Sequence, residues 1–244
     1  ITEKTKLILN LSLFGQCPNM TKINELANKY KLPVIEDGAQ SFGATQNNKK
    51  SCGLSTIGCT SFFPSKTLGC YGDGGAIFTD DLNIAELLRK IRSHGQNQRY
   101  SHQLIGINGR LDTIQAAILL SKLSIFPQEV FSRNNIGNYY NELFSKTSLK
   151  IKTPVIQKNN THVFSQYSIL VENRDKLIVN LNKAGIPTAV HYPIPLHKQR
   201  AFLTSEFDLG VSEDVSSKIL SLPMHPYLEQ SEQEIIVDTC LSLM

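Results

Sequence analysis

Two residues in this chain have the type and setting for covalent chemistry. Asp37 closes the run Pro33-Val-Ile-Glu-Asp37, which reads as a buried strand ending in a carboxylate. Open α/β sheets bind ligands beyond the carboxyl ends of their strands, although an Asp there is more often a helix cap or a structural acceptor. Lys66 follows the apolar stretch Cys59-Thr-Ser-Phe-Phe63 by way of Pro64-Ser65. A lone loop lysine is usually a solvated charge, but one held at a sheet edge and partly desolvated can serve as a nucleophile. A lysine and a carboxylate at the ends of nearby strands are the pair that pyridoxal phosphate requires. The amine forms a Schiff base, and the carboxylate keeps the pyridine nitrogen protonated so that the ring withdraws electrons.

The elements that must position these residues follow from apolar spacing. Lys6 to Phe14 reads as a strand ending at Gly15, Thr21 to Tyr30 as a helix, and the run closing at Asp37 as a second strand. Strand, helix and strand at this spacing form a βαβ unit with parallel pairing. Cys59 to Phe63 is a third strand. Gly72-Asp-Gly-Gly75 lacks both phosphate-loop spacings, so it predicts a tight turn with positive φ angles before a strand over Ala76 to Thr79. Helical spacing covers Ile84 to Ile91 and Leu111 to Leu123. Pro127 predicts a hinge, followed by a long helix from Val130 to Phe144. Beyond it come a strand over Gln166 to Val171, a helix over Asp175 to Ala184 and a strand over Thr188 to Tyr192. Helices then span Glu213 to Leu220 and Glu232 to Leu243, the second with a Ser231/Glu234 capping box. The alternation predicts an α/β protein with domains over 1–126 and 127–244.

Composition narrows the function classes. The 244 residues are 41% hydrophobic and carry 25 basic and 21 acidic side chains, a net charge of +4. With no dense Lys/Arg block, a nucleic-acid partner is not expected. No apolar run is long enough to span a bilayer. The odd count of five cysteines, without a C-x-x-C pair, predicts free thiols in a reducing cytosol and neither a zinc site nor a disulfide framework. His191, His197 and His225 lie too far apart in sequence for a metal motif. No G-x-S-x-G elbow supports serine hydrolysis.

Four segments then occur in order: Val34-Ile-Glu-Asp-Gly-Ala-Gln-Ser-Phe-Gly43, Thr60-Ser-Phe-Phe-Pro-Ser-Lys66, Tyr71-Gly-Asp-Gly-Gly-Ala76 and Gly106-Ile-Asn-Gly-Arg-Leu-Asp112. Together they resemble the sugar-nucleotide aminotransferases of the DegT/DnrJ type, in the aspartate-aminotransferase superfamily. The resemblance runs over essentially the whole chain. It implies the pyridoxal-phosphate-dependent transferase fold, with a mostly parallel sheet in a large domain and a smaller C-terminal α+β domain. Lys66 matches the family's Schiff-base lysine, Asp37 the partner of the pyridinium nitrogen, Gln40 a contact to the ring and its phenolic oxygen, and Ser61 a phosphate-binding hydroxyl. Asn108 matches a residue that reaches the cofactor phosphate across a homodimer interface, and Arg110 is similar to a substrate-contacting arginine. His191 and Tyr192 fall where the C-terminal domain approaches the sugar nucleotide. Related sugar dehydratases carry His at the lysine position, so Lys66 argues against that activity.

The resemblance further implies glutamate as amino donor and a nucleotide-linked keto sugar as acceptor, in the cytoplasm. Thr188 to His197 and Ser221 to Tyr227 look most like enzymes that aminate a UDP-linked 3-keto N-acetylglucosamine uronic acid for bacterial O-antigen and surface-polysaccharide synthesis. A 4-keto UDP- or dTDP-sugar is the alternative acceptor, and a catalytically silent scaffold of the same fold is the alternative class. Family members carry strands, a helix and a small-residue loop before the region matching Ile1, so the large domain is expected to be incomplete here.

Overall fold

The computed structural model describes residues 1–202 and 208–244. The chain forms two compact units, residues 1–130 with 156–165, and residues 131–155 with 166–244. The division falls inside the long helix, and a short later stretch belongs to the first unit, a detour that a single cut at 126/127 does not anticipate.

The first unit contains β1 (Ile8–Leu11), α1 (Met20–Tyr30), β2 (Val34–Asp37), a hairpin of β3 (Thr45–Gln46) and β4 (Lys49–Lys50), then β5 (Ile57–Ser61) and β6 (Gly75–Phe78). These are followed by α2 (Leu82–Arg92), a hairpin of β7 (Gln96–Gln98) and β8 (Ser101–His102), α3 (Thr113–Leu123) and the start of α4 (Phe126–Ser145). The main sheet has the order β1-β2-β5-β6. β1 with β2 and β2 with β5 are parallel, and β5 with β6 is antiparallel. Helix α1 begins where the Asn19 side chain accepts the Lys22 N–H at 3.1 Å. It ends at Lys31 in left-handed backbone, φ 52°.

Register sets the two faces of this sheet. Leu11 lies beside Asp37 and Asp37 beside Cys59, so Leu9, Leu11, Ile35, Asp37, Cys59 and Ser61 share one face. Val34, Glu36, Gly58 and Thr60 point the other way and are buried. Behind that second face Cys17, Met20, Ala27, Val34, Ala44 and Val163 form a core cluster. A further cluster joins Phe62, Leu68, Cys70, Leu119 and Phe126.

The second unit holds the rest of α4, β9 (Tyr167–Leu170), α5 (Arg174–Lys183), α6 (Gly210–Lys218), β10 (Ile219–Leu222) and α7 (Gln230–Ser242). β9 and β10 pair antiparallel. Tyr140 and Tyr167 are fully buried and stack with ring centroids 4.6 Å apart. Their hydroxyls donate to the Pro223 carbonyl at 3.0 Å and to Asn141 Oδ1 at 2.7 Å.

Five sequence expectations are corrected. Gly72, Gly74 and Gly75 do not have positive φ. They are small because neighbours crowd them: a Cβ would lie 3.0 Å from Gln115 Nε2 at Gly72, 2.9 Å from Leu111 Cδ1 at Gly74 and 2.8 Å from the Thr60 carbonyl oxygen at Gly75. Pro127 lies in the first turn of α4, where its missing N–H costs no helical bond. Thr188 to Tyr192 is not a strand; only Ala189 bridges to Ser221, and Pro187, Pro193 and Pro195 around it have no N–H to extend a ladder. Ile219 and Leu220 belong to β10 rather than to the preceding helix. The capping box of α7 is made by Glu229 and Glu232, the Glu229 N–H donating to Glu232 Oε2 at 2.9 Å. Among the described residues no helix is long and apolar enough to cross a membrane.

Candidate active site

The parallel pairing of β2 with β5 brings their carboxyl ends to one edge of the sheet. Asp37 is the last residue of β2 and Ser61 the last of β5, on the same face. The Asp37 carbonyl accepts the Ser12 N–H at 2.9 Å, and Asp37 Oδ1 accepts the Ala39 N–H at 3.0 Å. Its second carboxylate oxygen has no partner among the described residues. Ser61 Oγ accepts the Phe63 N–H at 3.2 Å, which leaves the hydroxyl proton to donate elsewhere.

Gln40 is buried and held from two sides. Its Oε1 accepts the Phe14 N–H at 2.6 Å, and its backbone carbonyl accepts the Ser165 hydroxyl. The Gln40 side-chain nitrogen has no partner among the described residues. Phe14 itself has φ 62° and Gly15 φ 124°. A Cβ on Gly15 would sit 2.8 Å from the Phe164 nitrogen, so only glycine lets this turn approach the 162–165 stretch.

Lys66 lies in a closed loop between β5 and β6. The Lys66 N–H donates to the Phe63 carbonyl at 2.9 Å, and the Cys70 N–H to the Phe62 carbonyl at 2.8 Å. Thr67 Oγ1 donates to the Phe42 carbonyl at 3.2 Å, and Lys122 Nζ to the Gly69 carbonyl at 2.5 Å. The loop is thus fixed on both flanks of Lys66, whose own side chain is half-buried and whose Nζ has no hydrogen-bond or ion-pair partner among the described residues.

Thiols near this edge are poor rivals to Lys66 as nucleophiles. Burial pushes Cys52 up to about 12, with the Glu36 charge adding to it. Burial, and secondarily the Asp37 charge, also raises Cys59. Thiols held protonated at neutral pH do not attack.

Of the remaining sequence candidates, Asn108 and Arg110 come together, with Arg110 Nε donating to Asn108 Oδ1 at 3.0 Å. Both are exposed, on a segment fastened to the end of α2 by the Gly109 N–H on the Arg92 carbonyl at 2.9 Å. His191 and Tyr192 belong to the second unit. His191 Nδ1 lies 3.1 Å from Ser221 Oγ, and burial lowers its pKa. A cavity of about 870 Å³ opens beside β6, lined by Ile77, Leu88, Ile107 and Leu111 among others, but not by Asp37, Gln40 or Lys66. It is a gap between β6 and α2.

Sequence reading missed the residues that hold the candidates in place. Phe14 and Ser165 grip Gln40 from distant positions, and no local spacing announces Ser165. The Phe14-Gly15 pair carried the one usable signal, a glycine at the end of an apolar run.

Comparison with known proteins bears on what this edge does. The sequence profile of the DegT/DnrJ/EryC1/StrS aminotransferase family matches residues 1–241. The chain belongs to this family. Its relatives include a Pseudomonas aeruginosa protein named UDP-2-acetamido-2-deoxy-3-oxo-D-glucuronate aminotransferase, 51% identical over 236 residues, which are 97% of this chain and 65% of the relative. A DegT DnrJ EryC1 StrS aminotransferase from Brucella abortus superposes with a TM-score of 0.92 at 42% identity, covering 97% of this chain and 64% of that one. A Bacillus subtilis protein, NtdA, solved with bound cofactor PMP, superposes with a TM-score of 0.89 at 31% identity, covering 100% of this chain and 57% of that one. The chain therefore has the fold of the solved aminotransferases and spans under two thirds of the length of these relatives.

Proposed function

We propose that the complete polypeptide containing this chain is a pyridoxal-phosphate-dependent aminotransferase. It moves an amino group from glutamate to a nucleotide-linked keto sugar, with UDP-linked 3-keto N-acetylglucosamine uronic acid as the acceptor. One observation carries the reading: an unpartnered amine, an unpartnered carboxylate oxygen, an unpartnered amide nitrogen and a free hydroxyl proton sit beyond the carboxyl ends of two adjacent parallel strands.

The residues present fit this cofactor. Asp37 would hold a proton on a ring nitrogen, using the oxygen that its Ala39 bond leaves open. Gln40 Nε2 donates to a phenolic oxygen, because its Oε1 is already taken by Phe14. The Ser61 hydroxyl donates to a phosphate. Lys66 Nζ would hold the cofactor covalently and, once the donor amine has displaced it and left it a free amine, would take the proton from the donor's α-carbon. When bound, the cofactor supplies the electron sink that makes that carbon acidic.

The name of the Pseudomonas aeruginosa relative, at 51% identity, supports a uronate-bearing acceptor. Arg110 is suited to a uronate carboxylate, since a guanidinium pairs with it bidentately. His191 and Tyr192 are assigned contacts to the sugar nucleotide, and Asn108 a contact to the cofactor phosphate of a partner subunit in a homodimer. Five free cysteines support a cytoplasmic setting, and an aminated uronate product fits a role in O-antigen or surface-polysaccharide synthesis.

The test is an absorbance titration of the complete polypeptide with pyridoxal phosphate, then incubation with glutamate and a panel of keto sugar nucleotides, with products identified by mass and NMR. A visible band that vanishes in Lys66→Ala and an aminated uronate product are expected. No band in the complete polypeptide would point instead to a silent scaffold. An Arg110→Ala variant that still preferred uronate over uncharged sugars would remove the specificity assignment.

A further inference from the structure

On the face of β2 opposite Asp37, Glu36 is fully buried and has no ion-pair partner among the described residues. Its two oxygens accept separately, Oε1 from Ser51 Oγ at 3.0 Å and Oε2 from the Leu54 N–H at 3.3 Å. Ser51 Oγ is also 2.6 Å from Ser41 Oγ. A hydroxyl has one proton, and that of Ser51 goes to Glu36, so Ser41 is the donor in the second bond. The result is a directional chain, Ser41 to Ser51 to Glu36, and all three residues are buried.

This chain spans the turn that carries the candidate cofactor contacts. Glu36 precedes Asp37 and Ser41 follows Gln40, so the hydroxyl bonds staple the two ends of the segment Asp37 to Gln40 through Ser51. The backbone runs the same way: the Ser41 N–H donates to the Gly38 carbonyl at 3.0 Å, the Gly38 N–H to the Cys59 carbonyl at 2.8 Å, and the Ser51 N–H to the Ala44 carbonyl at 2.9 Å. The fit behind the turn is close. A Cβ on Gly38 would lie 2.4 Å from Cys52 Sγ and 2.9 Å from Ser51 Oγ.

We infer that Glu36, Ser51 and Ser41 are positioning residues, which hold the Asp37 carboxylate in line with the ring nitrogen of the cofactor from the far face of the sheet. The inference rests on the proposed function, in which Asp37 partners that nitrogen. Buried side-chain networks that are fully satisfied hold one geometry, and a carboxylate displaced by a fraction of an ångström loses a directional bond.

The test compares two ligands in the complete polypeptide: pyridoxal phosphate and its 1-deaza analogue, which has carbon in place of the ring nitrogen. Wild type should bind pyridoxal phosphate more tightly than the analogue. Ser51→Ala should lose on the order of tenfold of that preference, the equivalent of one hydrogen bond, while binding the analogue as wild type does. Ser41→Ala, a milder deletion at the end of the chain, should shift in the same direction and serves if the Ser51 variant does not fold. Glu36→Gln should retain the preference, because an amide can accept the Leu54 N–H and donate to Ser51 with the chain reversed. A Ser51→Ala or Ser41→Ala protein with unchanged preference, or with equal loss for both ligands, overturns the inference. Wild type that bound neither ligand would instead remove the function on which it rests.

Discussion

The Phe14 backbone N–H donates to Gln40 Oε1 at 2.6 Å. An amide accepts at one end and donates at the other, so this bond fixes which end of Gln40 is left for a ligand. Gln40→Glu keeps the acceptor and deletes the donor. Its affinity for pyridoxal phosphate should fall at least about tenfold, the equivalent of one hydrogen bond, and its melting temperature should fall too, because a buried carboxylate replaces a neutral amide. Gln40→Leu strands the Phe14 N–H as well and should lose roughly 1–3 kcal/mol of stability in urea unfolding.

The loop around Lys66 closes on Gly69. A Cβ there would lie 2.6 Å from the Pro64 carbonyl oxygen and 2.7 Å from that of Phe63, and both are backbone atoms that cannot swing aside. Gly69→Ala should destabilise by about 1–3 kcal/mol and lower the visible absorbance at saturating pyridoxal phosphate. Lys122→Met, which removes the bond to the Gly69 carbonyl and the contact of the ammonium with the Tyr71 ring, should have the smaller effect on both readouts.

His162 is buried, stacks on Phe164 with centroids 4.0 Å apart, and accepts the Phe164 N–H on Nδ1 at 2.9 Å. Burial lowers its pKa from 6.5 to about 4. The unfolded chain therefore takes up a proton below pH 6.5 that the folded chain refuses until about pH 4. Stability present above 6.5 should be lost as pH falls through that window, by roughly 3 kcal/mol in total. His162→Gln keeps an acceptor for Phe164 without the titration. Chemical denaturation at several pH values should show a shallower slope in that variant than in wild type.

In the second unit the Tyr140 hydroxyl satisfies the Pro223 carbonyl at 3.0 Å inside the core. Tyr140→Phe retains the stack on Tyr167 and leaves that carbonyl short of a donor, so it should cost about 1–2 kcal/mol. Thermal unfolding of the two proteins measures the difference.

The parallel unit of β1, α1 and β2 was legible because apolar residues recur at strand and helix spacing, and because Asp37 ends its run abruptly. The C-terminal part was less so. The segment Ile219 to Leu222 is buried at every position, so its burial has no alternation to separate a short strand from a helix end. Thr188 to Tyr192 has β-branched residues and the wrong neighbours, since prolines on both sides withhold the N–H groups that a ladder needs. At the candidate site, Asp37, Gln40 and Lys66 could be read from their segments. The groups that immobilise them could not. Ser165 reaches Gln40 from 125 residues away, and Glu36 is a charged residue in the interior, where apolar periodicity predicts none.

The 156–165 stretch that returns to the first unit has a practical consequence. It places the Val163 N–H on the Gly15 carbonyl at 2.9 Å, the Asn47 N–H on the Asn159 carbonyl at 2.8 Å and the Ser165 hydroxyl on Gln40. A polypeptide cleaved after residue 130 would retain Asp37, Gln40 and Lys66 and still be short of an internal brace. Domain dissection by a single protease cut thus cannot yield an intact first unit for study. The two pieces would have to be co-expressed, or the chain rejoined so that this strap travels with the sheet it supports.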